Sequence, residues 1–538
     1  MPGQDFIVFL ESLFADQTWS TFSLLLRWGF LLMLFKCAIG VLVRKDAAPR
    51  KTKKGSTLSL GGGWAWIWML GLVLLLGRQA HWQLLGRRQP EFVEFMQRYD
   101  RREFNPAHRV RPGRIQDRYG QDLAVSALTD SGVRRVYRFG SLFSHIVGYN
   151  HPVYGMTGLE SAARKDLMGQ GLGRPADLKA LGAELLDREK FTEGPLLRTT
   201  LDAGLQRRAS ELLGDRRGAV IIMEVPSGNV RCLVSHPDFD PNRLKQAQFN
   251  ATSAQAPFLN RALRGQYPPG SVFKILIAAA ALDAGFQGTL DTPPGGYTTS
   301  ASTPPIRDHG YYTAQEKGRS WKGYGRIDLG TALAKSSNVF FAQLGVRTGA
   351  DALVTTLDQS GIMDPVSLWG SDKSTLNAAP VTGVALSDRR PYAIAQFSIG
   401  QGDLLVNPMH LTLLSAAVAN KGSVPKPHLV AGDPVRSIGR LCSPETAETL
   451  KWMMYKVVQE GTGRGIRMND LAVAGKTGTA ETGEGRRSHS WFAGFAPVSD
   501  PHWAFCVLVE EGGYGSTAAL PIARDLLRSG LTRGEFSP

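Results

Sequence analysis

The sequence predicts a mixed α/β (α+β) domain that follows membrane-associated helices and an accessory domain. Three observations support this prediction. Two long apolar stretches lie near the amino terminus, a helix followed by a two-stranded hairpin begins near residue 199, and a strongly apolar helix follows Ser271. The chain of 538 residues also exceeds the length that a single hydrophobic core usually supports.

Composition narrows the classes of partner and cofactor. The net charge of +15 suits an anionic membrane, an anionic polymer or nucleic acid. Because basic and aromatic residues do not interleave and no zinc-finger spacing occurs, we do not predict nucleic acid as a partner. The four cysteines are far apart, which argues against a metal site or a redox motif. Cys232 and Cys506 lie in apolar, strand-like runs, so we expect buried and inert thiols.

The first 78 residues are predicted to anchor the chain. The apolar stretches 21–43 and 60–78 are each about long enough to cross a bilayer. The loop 44–59 between them is basic, whereas residues 1–20 carry acidic residues and no lysine or arginine. Since positively charged loops stay in the cytoplasm, we expect residues 1–20 and everything after about residue 78 to be extracytoplasmic.

The first stretch leaves an alternative open. Arg27 and Lys36 interrupt it and lie on opposite helix faces. It is therefore either a true span or an amphipathic helix on the membrane surface. Neither stretch has the small-residue cleavage site of a removable signal peptide.

Residues 79–198 predict an extended accessory domain, because the segment is basic and rich in turn residues and lacks long apolar periodicity. Its run Arg111–Ala124 combines a Pro-Gly turn, a short strand and an Asp-Arg pair, for which we expect a structural role. A second domain is predicted over 199–532. There, Asp202 is expected to cap a helix, and strands 219–225 and 230–235 to flank a turn.

Ser271 is the candidate nucleophile. It lies where a Pro-Pro-Gly turn ends and an apolar helix begins that reaches about Asp283. Lys274 is one helical turn further on the same face, within reach of the serine hydroxyl. A lysine acts as a base only if burial or a second cation keeps it neutral. Ser-x-x-Lys alone is weak evidence, because a capping serine before a surface lysine gives the same pattern; the apolar helix argues against that alternative.

Two further motifs follow in order, Ser336-Ser337-Asn338 and Lys476-Thr477-Gly478-Thr479. Ser-x-x-Lys, Ser-x-Asn and Lys-Thr-Gly together are the signature of penicillin-binding proteins and serine β-lactamases, and the chain resembles that superfamily. Further segments resemble class B penicillin-binding proteins of the division or elongation type: Arg111–Ala124, Gly155–Glu160, Pro237–Asn242, Ser398–Gly402, Ala419–Gly422 and Trp491–Pro497. The segment Val406–His410 departs from the family pattern, which puts its packing in question.

The resemblance implies a five-stranded antiparallel sheet flanked by helices, preceded by a pedestal domain. It implies that Ser271 attacks the substrate, Lys274 is the general base, Ser336 relays a proton and Lys476 lowers the proton affinity of Lys274. The substrate-binding residues that it implies are Asn338, Thr477, Gly478 and Thr479. Backbone N–H groups of Ser271 and Thr479 are expected to form the oxyanion hole.

The implied activity is that of a peptidoglycan D,D-transpeptidase in the bacterial cytoplasmic membrane, acting on D-Ala-D-Ala stem peptides and acylated by β-lactams. No metal and no organic cofactor are implied, and the implied partner is a membrane glycan polymerase of the shape, elongation, division and sporulation family. The alternatives are a D,D-carboxypeptidase or β-lactamase that hydrolyses the same acyl-enzyme, a β-lactam sensor, and a scaffold whose catalysis is dispensable. The anchor and pedestal favour the transpeptidase.

Overall fold

The computed structural model describes residues 71–77, 110–129, 132–169, 192–249, 255–369, 376–384, 386, 389–483 and 485–536. The predicted segments 1–20, 21–43 and 44–59 lie outside these residues, as does most of 60–78. Residues 71–77 are helical. Within the described residues, no helix has both the length and the apolar character needed to cross a bilayer. The chain divides into two compact units, Met1–His108 and Arg109–Pro538.

A small sheet organises the accessory part of the second unit. Its four strands lie in the order Gly132–Tyr137, Asp122–Thr129, Ile115–Gln116 and Leu197–Arg198. The Asp117 carboxylate is fully buried and accepts hydrogen bonds from the backbone N–H groups of residues 119, 121 and 203. The structural role predicted for the Arg111–Ala124 run agrees with these contacts.

The second half of the unit is built on a five-stranded antiparallel sheet, as the family resemblance implied. We label its strands in chain order: β1 Gly218–Glu224, β2 Val230–His236, β3 Ala474–Ala480, β4 His489–Ala496 and β5 Trp503–Val509. Their order across the sheet is β2-β1-β5-β4-β3, so β5 is central and β3 forms an edge. Within the described residues, the strand carrying the Lys-Thr-Gly motif thus has a strand partner on one edge only.

Helices cover both faces of this sheet. The principal ones are α1 Ala203–Leu213, α2 Lys274–Asp283, α3 Leu329–Lys335, α4 Asn338–Thr348, α5 Pro408–Ala419, α6 Pro444–Gln459 and α7 Ala519–Thr532. Residues of β5 alternate between the two cores: Cys506 and Leu508 pack on the α5 side, whereas Phe505 and Val507 pack on the α1 and α7 side. A strand with period-two side chains and both faces buried is apolar throughout, as β5 is.

Shorter elements complete the unit. The remaining helices are Ser144–Val147, Gly158–Ala162, Arg164–Leu167, Gln246–Phe249, His309–Glu316, Ala350–Gln359 and Pro391–Ser398, with 3₁₀ turns at Gly140–Phe143, Gly270–Phe273 and Arg464–Ile466. Two-stranded pairs join Val110–Arg111 to Thr192–Glu193, Asn150–His151 to Gly155–Met156, Thr289–Thr292 to Gly325–Asp328, Val366–Ser367 to Asn377–Ala378, and Ser423–Pro425 to Ser437–Arg440.

The local predictions are confirmed closely. Asp202 caps α1 by accepting hydrogen bonds from the N–H groups of Gly204 and Leu205, at 2.8 and 2.9 Å. The predicted hairpin is β1 and β2, each within one residue of its expected ends. Cys232 and Cys506 are buried free thiols, and burial raises the pKa of both. Cys442, in a loop, is a third buried free thiol among the described residues.

Candidate active site

The predicted nucleophile lies at a helix start, as expected. Residues Gly270–Phe273 form a 3₁₀ turn that continues directly into α2, whose residues Lys274 to Ala281 are all buried. Gly270 has φ +53°, and a methyl group there would lie 2.5 Å from the Thr479 carbonyl oxygen. Only glycine permits this approach, which brings the Ser271 backbone against the edge strand β3.

The Lys274 side chain forms hydrogen bonds with residues of the second motif. Its side chain is fully buried, and its Nζ donates to the Ser336 carbonyl at 2.8 Å and to Asn338 Oδ1 at 2.7 Å. In the described part of the chain, no hydrogen bond joins Lys274 Nζ to the Ser271 hydroxyl. Hydrogen bonds between a base and its nucleophile are often long before substrate binds, so this geometry is compatible with the predicted role.

Ser336 joins the second motif to the third. It lies between α3 and α4 in the left-handed conformation, with φ 58° and ψ 38°. Lys476 Nζ donates to Ser336 Oγ at 2.8 Å and to the Thr477 carbonyl at 2.9 Å. A non-glycine residue in this conformation is held there by its surroundings, which is common at functional sites. The fold therefore brings Lys274, Ser336 and Lys476 into one buried network.

Burial sets the protonation of the two lysines. It lowers the pKa of Lys274 to about 7, and the Asp308 carboxylate partly opposes this shift. Burial also lowers the pKa of Lys476, and the charge of Lys274 lowers it further. The sequence interpretation named the Lys476 cation as the reason for a neutral Lys274. In the structure, burial is the leading cause of the lowered pKa of Lys274, and the repulsion between the two lysines disfavours protonation of both at once.

Asp308 is a site residue that the sequence did not reveal. Its carboxylate is buried and accepts hydrogen bonds from Ser337 Oγ at 2.9 Å and from the Val339 N–H at 3.1 Å. It therefore fixes the start of α4, where Asn338 lies, and places a negative charge near Lys274. No local pattern signals this role, because Asp308 precedes α4 by thirty residues and meets it only through the fold.

The third motif has two differently placed threonines. The Thr477 side chain is buried and its hydroxyl lies 2.6 Å from Thr462 Oγ1, a second partner missed from the sequence. Thr479 is partly exposed, and its Oγ1 accepts a hydrogen bond from the Gly515 N–H at 3.4 Å. A methyl group at Gly478 would lie 2.7 Å from Val272 Cγ2, so glycine lets β3 pack against the nucleophile turn.

The segment Val406–His410, where the sequence departs from the family pattern, packs without disruption. Asn407 caps α5: its Oδ1 accepts from the His410 N–H, and His410 Nδ1 accepts from the Asn407 N–H. Asn407 Nδ2 also donates to the Ala379 carbonyl at 2.8 Å. Both residues are fully buried, and burial lowers the pKa of His410 to about 3. Asn407 and His410 thus form a capping box at the start of α5.

Comparison with known proteins assigns the family. The family model described as the penicillin binding protein transpeptidase domain matches residues 218–528, more than half of the 538-residue chain. The chain belongs to this family. A second model, described as the penicillin binding protein A dimerisation domain, matches residues 112–173 within the accessory region.

In the described residues, no group of three or more histidine, cysteine or acidic side chains is arranged to bind a metal.

Named relatives and solved structures agree with a class B member. The peptidoglycan D,D-transpeptidase PbpA of Mycolicibacterium smegmatis is 32% identical over 77% of this chain and 88% of its own length. MrdA of Acinetobacter baumannii, also named a peptidoglycan D,D-transpeptidase, is 29% identical over 72% of this chain and 65% of its own. Penicillin-binding protein A from M. tuberculosis, solved as a ceftriaxone acyl-enzyme, superposes with a TM-score of 0.68 at 29% identity, covering 79% of this chain and 99% of that one.

Proposed function

We propose that this chain is a peptidoglycan D,D-transpeptidase that cross-links stem peptides through an acyl-enzyme on Ser271. One observation carries the proposal: the buried network of Lys274, Ser336 and Lys476 lies where the Ser271 turn meets the edge of β3. A helix start with an adjacent lysine of pKa about 7 suits nucleophilic attack by serine. The names of the relatives support the same reaction.

The first step is acylation. Ser271 Oγ attacks the carbonyl carbon of the penultimate D-alanine, and neutral Lys274 takes the hydroxyl proton. The negative charge that develops on the carbonyl oxygen is stabilised by the backbone N–H groups of Ser271 and Thr479. Collapse of this intermediate breaks the bond to the terminal D-alanine, whose amine leaves with a proton delivered through Ser336. Removing one such oxyanion donor typically costs about 3 kcal/mol of transition-state stabilisation.

The remaining residues position the donor peptide. Asn338 holds its backbone amide, while Lys476 and Thr479 bind its terminal carboxylate. Thr477 contributes to this carboxylate site through the hydroxyl pair that it forms with Thr462. An amine from a second stem peptide then attacks the acyl carbon. The new C–N bond is the cross-link, the bond from this carbon to Ser271 Oγ breaks, and the proton of the amine passes through Lys274 to Ser271 Oγ. A β-lactam enters by the same attack, but its ring opens and the leaving amine stays attached.

We also propose a membrane location for the chain and a polymerase as its partner. Residues 21–43 and 60–78 anchor the chain in the cytoplasmic membrane, with 79–198 as pedestal and 199–532 as the extracytoplasmic transpeptidase domain. We propose that a separate membrane polymerase supplies the glycan strands. Protease added to intact spheroplasts should degrade the domain after residue 78; full protection of that domain would contradict this orientation.

The nucleophile is tested by covalent labelling with a fluorescent penicillin. The full-length chain should label, and Ser271→Ala should not. Ser302→Ala is the matched control, because Ser302 is exposed in a loop and takes no part in the network, and it should label like the unmodified chain. Persistent labelling of Ser271→Ala would remove Ser271 from the mechanism.

A second measurement separates transfer from hydrolysis. We expect cross-linked dimers when the full chain receives lipid-linked glycan strands made by a polymerase, together with released D-alanine. Trimmed stem peptides without dimers would assign the chain to the hydrolytic alternative instead.

A further inference from the structure

One wall of the active site ends in an exposed histidine. The Arg307 carbonyl accepts a hydrogen bond from Asn338 Nδ2 at 3.1 Å, and the Asp308 carboxylate accepts hydrogen bonds from Ser337 and Val339. His309 follows directly and begins the helix His309–Glu316. It therefore lies on the rim of the wall that carries the Ser-x-Asn motif.

The opposite wall ends in an exposed tyrosine. Tyr514 lies in the loop after β5, and its carbonyl accepts a hydrogen bond from Ser490 Oγ at 3.0 Å. The next residue, Gly515, donates to Thr479 Oγ1. A methyl group at Gly515 would lie 2.5 Å from the Gly478 carbonyl, so this loop lies against the Lys-Thr-Gly strand.

The two rims meet. The rings of His309 and Tyr514 lie edge to face, with centroids 5.1 Å apart and an interplanar angle of 65°. Because Arg307 contacts Asn338 and Gly515 contacts Thr479, this ring pair forms a bridge between the two walls. The Tyr514 side chain is 50% exposed, so water can replace the contact.

Neighbouring contacts hold His309 in place. The ring of Trp321 packs on Gly310, where a methyl group would lie 2.3 Å from the indole. His309 Nε2 also lies 3.2 Å from Thr313 Oγ1, one turn along the helix. Together with the bonds of Asp308, these contacts hold the histidine in place. The Tyr514 backbone is held as well, because its carbonyl accepts a hydrogen bond from Ser490 Oγ, so separating the two rings requires rotation of the exposed Tyr514 side chain.

We propose that His309 is a specificity-determining residue that restricts the acyl donor according to the bulk of the group beside the reacting carbonyl. This inference rests on the proposed function. A compact donor fits beneath the bridge, whereas a bulky one must first separate the two rings. The contact of one aromatic pair is worth between about a twofold and a tenfold change in rate. Removing the ring should therefore favour bulky donors selectively.

The test compares acylation rates of the full chain in detergent with two probes. 6-Aminopenicillanic acid lacks an acyl side chain, and a fluorophore-bearing penicillin carries a bulky one. His309→Ala should acylate with the bulky probe about twofold to tenfold faster while its rate with the small probe stays unchanged. His309→Phe retains a ring and should behave like the unmodified chain. Tyr312→Ala removes an exposed ring from the same helix, one that contacts Tyr311, and should leave both rates unchanged.

The outcomes are distinguishable. An unchanged ratio of the two rates in His309→Ala, or an equal change with both probes, would overturn the specificity role while leaving the transpeptidase assignment intact. Loss of the restriction in His309→Phe would also overturn it, because the ring would then be irrelevant. If the unmodified chain does not label through Ser271 with either probe, the proposed function fails and the inference with it.

Discussion

At the scale of single residues, the main feature of the candidate site is a pair of buried lysine amines that contact the same serine. Lys274 and Lys476 both have fully buried side chains and both contact Ser336, one at its carbonyl and the other at its hydroxyl. Desolvation favours the neutral form of an amine, and repulsion between two cations favours neutrality of at least one. The pair therefore holds fewer protons at neutral pH than two surface lysines would hold.

The pH profile of acylation follows from this arrangement. A general base must be neutral, and the pKa of Lys274 is lowered to about 7, so the acylation rate should rise as the pH passes about 7. Asp308 raises the pKa of Lys274 by its charge. In Asp308→Asn the midpoint should therefore move to lower pH, while the amide oxygen still accepts from Ser337. Stopped-flow acylation between pH 5 and 9 measures both midpoints.

The control for this experiment is Asp291→Asn, which neutralises an exposed aspartate outside the lysine network and should leave the midpoint in place. A midpoint that rises in Asp308→Asn would show that the carboxylate does not act on Lys274 through its charge.

Ser336 allows backbone strain and hydroxyl chemistry to be separated. Ser336→Ala and Ser336→Gly both remove the acceptor of Lys476, so acylation should fall in both. Only glycine relieves the left-handed conformation, so Ser336→Gly should be more stable by about 1 kcal/mol in denaturant unfolding. Equal stability of the two variants would indicate that the backbone relaxes out of this conformation when the hydroxyl is lost.

The sequence identified the motif residues but not the residues that hold them. Ser271, Lys274, Ser336 and Lys476 could be predicted as site residues because their motifs are short and local. Asp308 and Thr462 could not, because each meets its partner across a long stretch of chain. The hydrogen bonds of Lys274 to residues 336 and 338 were likewise invisible, since helical periodicity describes only neighbours within the same helix.

At the scale of elements, short sequence patterns predicted the helices and hairpins that form from residues close together in the chain. The capped helix α1 and the hairpin of β1 and β2 needed only a capping aspartate, a turn and alternating apolar residues. The pairing of β1 with β5 had no such signal, because the two strands are almost three hundred residues apart. That pairing was expected only through resemblance to the family.

The cap of α5 offers a test at this scale. Asn407→Ala removes the acceptor for the His410 N–H and the donor to the Ala379 carbonyl, so the free energy of unfolding should fall by about 1 to 2 kcal/mol. Thr449→Ala, on the exposed face of α6, is the control and should change it by less than about 0.5 kcal/mol. Chemical denaturation monitored by tryptophan fluorescence compares the two. An equal effect of both substitutions would show that the cap contributes nothing particular to α5.

At the scale of the whole molecule, the accessory region and the transpeptidase fold share hydrogen bonds. Asn242 Oδ1 accepts from the Tyr137 N–H at 3.0 Å, and its Nδ2 donates to the Tyr137 carbonyl at 2.9 Å. Gln206 Nε2, in α1, donates to the Leu142 carbonyl. These contacts join side chains of one region to the backbone of the other, so residues 109–538 behave as one compact unit.

Asn242→Ala should weaken this junction. The substitution leaves the Tyr137 N–H and carbonyl without their side-chain partner, and we expect a loss of about 1 to 3 kcal/mol in the free energy of unfolding. Unfolding should remain a single transition, with penicillin labelling lost at the same denaturant concentration as the fluorescence change. Two separate transitions would show that the accessory region unfolds independently of the transpeptidase fold.

The central position of β5 has a consequence for biosynthesis. Of the five strands it is the last to leave the ribosome, yet β1 and β4 both pair with it. Until β5 is made, β1 lacks its partner on that side, and the pair of β3 and β4 has no strand that joins it to the early hairpin. A chain truncated before Trp503 therefore carries all three motifs but lacks the strand that joins the two parts of the sheet, and we expect it not to react with penicillin.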